Sequence, residues 1–346
     1  MNNTCDNVLT LPKRDLSLDV IKIISCLLVV LMHTLRRYDQ SVELHPFLYY
    51  LTRCSMPLFF MASGAVQLVK DQITYRYCFK KIWNIIKLMI FYYGFDILIR
   101  FLFKFDISID GVIVALKGAY GDYAVFWFLR TLIMIYLILP GIHYVYKKYP
   151  LILILLLGII CIGLDAFNVW NVLYRGASSY IEAPINPQYR LWVWLFYYLL
   201  GGTVYHYLRE NRVKGNTFNW VLAAVITSII AVAYMYYVLF YKTNIVNGGF
   251  GYTSIFMMIW VITTMIAIEK IDFNKYLSIQ SVIRVGSSTL LPMFALHAFV
   301  ISLYDGVFFS STYWSQILGY LIIVVTTFVF SYIITRIPIL KPLYKI

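Results

Sequence analysis

Charged residues make up only 13% of this 346-residue chain, and Asp and Glu together number just 16. A soluble domain of this size needs far more charge to cover its surface, so that class is excluded. Cysteine is scarce too. The five (Cys5, Cys26, Cys54, Cys78 and Cys161) form no CxxC pair and no ladder of metal-ligand spacing, which argues against a disulfide framework or a zinc site. They read as small apolar fillers. The signatures of soluble enzymes are missing as well: there is no phosphate-binding loop, nucleotide fold, HExxH or GxSxG. The first fifteen residues, MNNTCDNVLTLPKRD, lack the apolar core and small-residue cleavage site of a signal peptide, so the first apolar segment is expected to stay. No internal repeat is visible, and nothing points to the inverted-repeat architecture of many transporters.

What is abundant is apolar sequence. Hydrophobic residues are 61% of the chain, and the mean hydropathy is +0.75. Crossing ~30 Å of hydrocarbon takes about 20 helical residues, and runs of that kind recur throughout. Only helices and closed barrels satisfy every backbone polar group in lipid, so the fold expected is an all-α polytopic transmembrane helix bundle. Ten spans are predicted, at 17–36, 47–69, 84–103, 123–142, 150–167, 190–208, 219–240, 252–268, 287–304 and 315–335. They make residues 1–346 one integral-membrane domain.

The net charge of +13 comes from Lys and Arg in short segments between apolar runs. That pattern orients a membrane protein and gives no reason to expect a nucleic-acid partner. With a cytoplasmic N-terminus, the inner segments hold Lys13, Arg14, Lys70, Arg76, Lys80, Lys81, Lys147, Lys148, Arg209, Arg212, Lys214, Lys270, Lys275, Arg284, Arg336, Lys341 and Lys345. The outer segments hold only Arg36, Arg37, Lys104, Lys117, Arg175, Arg190 and Lys242. This bias, with an even span count, predicts both termini in the cytoplasm. The longest outer segment, residues 165–190, mixes aromatics, charges and prolines. That composition suits a sugar-contacting lid and a plain spacer equally.

The first span carries Asp19, Lys22 and His33. Lys22 and His33 are eleven residues apart, which returns them to nearly the same helical face about 16 Å apart along the axis. Asp19 lies one turn before Lys22. Ionisable groups at bilayer depth are costly unless they meet a partner or a wet cavity, so the stripe suggests a polar interior surface. Two readings stay open: the stripe lines a site, or Asp19 and Lys22 reach back to the interface while His33 is wetted from the outer end. Elsewhere, His297 sits mid-span after Pro292, which frees a backbone carbonyl. Arg53, Ser63 and Gly64 in RCSMPLFFMASG, and Trp127 and Arg130 in VFWFLR, add polar or small positions on apolar helices. Asp96 and Arg100, four apart, are expected to pair with each other.

These residues, in this order, resemble acyltransferase family 3, the bacterial integral-membrane acyltransferases. Lys22-x10-His33, preceded by Asp19 in LDVIK, resembles the family's opening basic-x10-His motif. The family more often has Arg at the basic position; Lys22 keeps the charge but loses the bidentate fork. PLFFMASGAV resembles the second-span signature P-L-F-F-x-x-S-G, WFLRTLIMIYLILP the W-F-L span, and LLPMFALHAFV the late span with its histidine. The likeness runs over essentially the whole chain, nearest in style to stand-alone enzymes acetylating O-antigen, enterobacterial common antigen, capsule or exopolysaccharide.

The resemblance implies an enzyme of the bacterial inner membrane that moves an acyl group from acyl-CoA, usually acetyl-CoA, to a carbohydrate hydroxyl. Acetyl-CoA would be a co-substrate, with no permanently bound cofactor and no metal. The other partners implied are a carbohydrate acceptor in lipid-linked form and membrane lipids, with homo-oligomerisation left open. His33, whose ordinary pKa is near ~6.5, would take the proton from the sugar hydroxyl. His297 would orient or polarise the thioester. Arg14, Asp19 and Lys22 would belong to the donor site, Lys22 and Arg14 holding CoA phosphates electrostatically. Arg53, Ser63, Trp127 and Arg130 are the candidate acceptor contacts. Two rival readings remain: a glycan exporter or flippase whose polar stripe lines a path, and a non-enzymatic partner subunit of a polysaccharide synthase.

Overall fold

The computed structural model describes residues 15–35, 45–102, 126–176, 180–182, 184–210, 212–242, 249–304 and 313–344. Every regular element among them is helical, and no strand occurs among them. The helices are α1 (Leu16–Leu35), α2 (His45–Thr52), α3 (Ser55–Leu68), α4 (Tyr75–Leu102), α5 (Trp127–Lys148), α6 (Pro150–Arg175), α7 (Leu191–Arg209), α8 (Thr217–Met235), α9 (Ile255–Glu269), α10 (Leu277–Tyr304) and α11 (Tyr313–Arg336). A wider turn, Tyr236–Tyr241, extends α8. Short 3-10 turns cover Pro187–Tyr189, Gly249–Tyr252 and Pro338–Tyr344.

Among the described residues, α1, α5, α6, α8 with its extension, α10 and Trp314–Arg336 of α11 are long and apolar enough to cross a membrane. The chain is therefore an integral membrane protein. Helix also occupies the other predicted segments, but α3, α4, α7 and α9 do not meet the same length and apolarity together.

One predicted span, 47–69, is two helices. Pro57 has no N–H for the carbonyl of residue 53, and its ring would crowd that carbonyl. The chain accordingly breaks at Arg53 and Cys54, with Arg53 N–H bonding Tyr50 O at 3.1 Å and the Thr52 hydroxyl bonding Tyr49 O at 2.6 Å. Elsewhere the helices outrun their apolar cores: α4 begins at Tyr75 and α10 at Leu277. Intrahelical hydrogen bonding continues where hydropathy has already fallen, so hydropathy alone starts these helices too late.

Local chemistry sets several ends. The Asp15 carboxylate accepts from Ser17 N–H (3.0 Å) and Leu18 N–H (3.4 Å), capping α1. Pro150 opens α6 at a position where a missing N–H costs nothing, and Gly176, left-handed at φ 62°, closes it. Asn216 and Ser254 cap α8 and α9 through Asn219 N–H and Met257 N–H.

Contacts at the helix termini define two ends of the bundle. At the end where α1 starts, Asp15 meets Tyr205 and Arg209 at the finish of α7. His143 Nε2 lies 3.0 Å from Lys70 O there, and Lys270 Nζ donates to Val213 O at 2.8 Å. At the opposite end, Arg130 in the first turn of α5 meets Gln188, and Trp194 in the first turn of α7 donates to Pro187 O. The closest helix pair is α3 against α7, because Gly64 lies on the Tyr198 backbone, Gly201 on the Met61 backbone and Gly202 on the Leu68 side chain. A Cβ at any of them would collide, so small residues let the backbones touch. Around this seam, α1 packs on α3, α10 and α11, with Gly286 of α10 close to Ile23 of α1.

Candidate functional site

The α1–α10 contact brings His33 and His297 together. Their ring centroids are 5.2 Å apart and the planes are tilted by 44°. His33 is half-buried; His297 is fully buried. His297 Nδ1 lies 2.7 Å from the Phe294 carbonyl. A carbonyl only accepts, so Nδ1 carries the hydrogen and the neutral ring presents a lone pair at Nε2. That Nε2 has no hydrogen-bond partner among the described residues. Neutral His297 can therefore receive a proton or hydrogen bond at Nε2, and polarising a carbonyl would require its imidazolium.

One turn before His297, Phe294 lies 5.7 Å from it and begins an aromatic packing layer. Phe294 touches Phe128 at 5.6 Å and Phe59 at 6.1 Å. Phe128 continues to Phe60 at 4.8 Å, Phe60 to Trp194 at 5.0 Å, and Trp194 to Tyr252 at 5.1 Å. The layer ends at Arg53, whose guanidinium lies 4.1 Å from the Tyr252 ring and whose Nη1 donates to Tyr49 OH at 3.4 Å. Arg53 is buried at the α2–α3 break, so the proline that divides that span also positions this cation. Trp127 joins the same layer, 5.0 Å from Trp194.

The other residues singled out from sequence fall into separate groups. Arg130 donates to Gln188 Oε1 at 3.1 Å and Tyr93 OH at 3.0 Å, fixing the segment that carries Gln188. Ser63 donates back to Phe59 O at 2.8 Å, the ordinary intrahelical bond of a helical serine. Its neighbour Gly64 is the packing residue. Asp19 is buried and Lys22 half-buried on α1; both have interaction partners. Arg14 lies outside the described residues, and so do the side-chain placements of Asp96 and Arg100.

Part of the long predicted outer segment is built tightly. Buried Asn168 donates to Glu182 Oε2 at 2.7 Å and accepts from Ile181 N–H at 2.8 Å. Arg190 donates to Ile185 O and to Glu182 O, each at 2.8 Å, and Thr131 donates to Gln188 O at 3.2 Å. These bonds hold residues 180–182 and 184–190 against α5, α6 and α7, so this part of the segment is fixed in place.

Sequence reading missed the group at the start of α1. Asp15 Oδ2 accepts from Tyr205 OH at 2.7 Å and pairs with Arg209, which also lies 3.6 Å from Glu269 Oε2. With Lys270 and Asp272 these residues line a cavity of about 460 Å³. An Asp directly before an apolar run is a helix-start signal that could have marked Asp15. No sequence spacing connects it to Glu269. Across α7 a second recess of about 450 Å³ is lined by Lys147, His206, Arg212, Tyr146 and Tyr207. Among the described residues no group of three His, Cys, Asp or Glu could hold a metal ion.

A family model described as an acyltransferase domain matches residues 15–336. No curated protein and no solved structure matches the chain.

Proposed function

The chain belongs to acyltransferase family 3, and from that premise we propose that it is an O-acetyltransferase of the bacterial inner membrane, taking acetyl from cytoplasmic acetyl-CoA and delivering it to a hydroxyl of a surface glycan or its lipid-linked precursor. The observation that carries the reading is the His33–His297 pair, two imidazoles 5.2 Å apart inside a helix bundle. Within apolar helices, a pair of polar rings is costly unless it serves chemistry or a wet path. His33 takes the hydroxyl proton as the sugar oxygen attacks the thioester carbonyl. The C–S bond then breaks, and the departing thiolate takes a proton back from the imidazolium. His297, with an acceptor at Nε2, steadies His33 or shares the transferred proton.

Lys22, eleven residues before His33 on nearly the same face of α1, serves the donor side together with Asp19 and with Arg14 of the preceding sequence. Arg53, Trp127 and Arg130 serve the acceptor side. This arrangement has the chain as one ten-span domain with both termini cytoplasmic. What supports that orientation is the gathering of Lys70, Lys147, Arg209, Arg212 and Lys270 at the end where α1 starts.

The test is direct. Purified protein in nanodiscs, given labelled acetyl-CoA and a lipid-linked glycan acceptor, should release CoA thiol in step with labelled ester on the acceptor. An exporter would move glycan across the bilayer without releasing thiol, and that result would refute the enzyme reading. NMR of surface glycan from cells with and without the protein then identifies the acetylated hydroxyl.

A further inference from the structure

Three phenylalanines from three helices form a closed triangle beside the histidine pair. Phe59 of α3 and Phe128 of α5 are 5.4 Å apart, Phe128 and Phe294 of α10 are 5.6 Å apart, and Phe59 and Phe294 are 6.1 Å apart. These are tilted and edge-on contacts at van der Waals spacing, so no gap for another group lies between the rings. All three are buried, at 9%, 6% and 4% exposure. The triangle meets the chemistry at one corner, where Phe294 lies 5.7 Å from His297.

We infer that this triangle is the floor of the acyl site and limits the transferred group to acetyl. The inference rests on the acyl-transfer reading. It adds the residues that decide which acyl group is accepted. A thioester carbonyl placed for attack beside His33 has its acyl carbons within a few ångströms of the two imidazoles. The side walled by Phe294 is apolar, as an acyl chain requires, and it is rigid, because each ring is braced by the other two. Phe128 is braced further by Phe60, which stacks on Trp194. Floors made of interlocked rings cannot yield to an extra methylene without moving helices. Discrimination of about tenfold or more per added methylene is what a tight pocket of this type supplies.

The experiment measures kcat/KM of the full-length protein in nanodiscs with acetyl-CoA, propionyl-CoA and butyryl-CoA against one acceptor. The variants are Phe294→Ala, Phe294→Leu, Phe128→Leu and Phe59→Leu, each checked for monodispersity and thermal unfolding. Removing a ring opens room for added methylenes, each of which then gains from burial. Preference should shift toward longer acyl groups by at least about fourfold per methylene, the equivalent of about 0.8 kcal/mol. Phe294→Ala should show the largest shift. The leucine variants retain apolar bulk and keep the test valid if the alanine variant does not fold. A folded, active Phe294 variant with an unchanged acetyl-to-butyryl ratio overturns the floor assignment while leaving acyl transfer intact. If the unsubstituted protein transfers no acyl group from any of the three donors, the acyltransferase reading itself fails and the floor assignment falls with it.

Discussion

Removing both members of the histidine pair should cost little more than removing one. A general base contributes about 10²- to 10⁴-fold to a proton transfer, which is about 2.7 to 5.4 kcal/mol at 1.36 kcal/mol per decade. Two independent contributors of that size would multiply to roughly 10⁴- to 10⁸-fold. The rings are centred 5.2 Å apart, near enough to act on one reacting group, so they are expected to handle one proton between them. The predicted pattern is a loss of about 10²- to 10⁴-fold for His33→Ala, a smaller loss for His297→Gln, and a double variant within about tenfold of His33→Ala. Glutamine is chosen because His297 is fully buried and alanine would leave a cavity. The assay is the initial rate of acetyl transfer at saturating donor, beside thermal unfolding in the same detergent. A double variant whose loss equals the product of the singles would refute the shared-proton reasoning. Retention of more than about a third of the activity by His33→Ala would remove it as the base.

Lys22→Ala should raise the acetyl-CoA KM by roughly ten- to a hundredfold, the worth of a charge-assisted contact, while Lys22→Arg is tolerated and the acceptor KM stays put. Recovery of donor KM in Asp19→Asn/Lys22→Met would instead make Lys22 a structural partner of Asp19. For topology, single cysteines in residues 70–83 and 209–217 should resist a membrane-impermeant thiol reagent in intact cells, and one in 165–190 should react. Labelling of the first two segments would reverse the orientation and the donor side with it.

Much of the helical architecture was legible because the apolar runs are long and the punctuation between them is strong. The span predicted from 150 does begin at Pro150, while those predicted from 219 and 252 begin at Thr217 and Ile255, where Asn216 and Ser254 supply caps that hydropathy does not register. The break inside 47–69 was legible in principle from Pro57, but hydropathy averages over it. The pairing of α3 with α7 was not legible. Gly64 and Gly201 look like two of 18 glycines, and only the fold shows that each accepts a neighbouring backbone. In the candidate site, His33 could be singled out because ionisable residues are rare in apolar helices. Its meeting with His297 depends on the α1–α10 contact, which joins residues 264 positions apart. The phenylalanine triangle was invisible for a related reason: among 24 phenylalanines, Phe59, Phe128 and Phe294 differ from the rest only in where three helices bring them.

Charge counting along the chain also overstated how much positive field the α1-starting end of the bundle can offer an anion. Arg209 counts as one positive charge in sequence, yet in the fold it meets two carboxylates, Asp15 and Glu269. Arg212 lies 2.6 Å from Glu210, and Lys147 lies 4.0 Å from Asp71. Those acids are few in the composition, but they sit where the cations are. The cavity at the foot of α1 thus carries three carboxylates, Asp15, Glu269 and Asp272, against the cations Arg209 and Lys270. A phosphate-bearing donor gains little from the net charge of that cavity. It needs a cation placed within the bundle, where low dielectric strengthens a contact and salt does not screen it. Lys22, half-buried on the helix that also carries His33 and itself partnered, is the cation proposed for that place. A donor KM that depends on Lys22 and varies little with ionic strength is the outcome expected of that assignment.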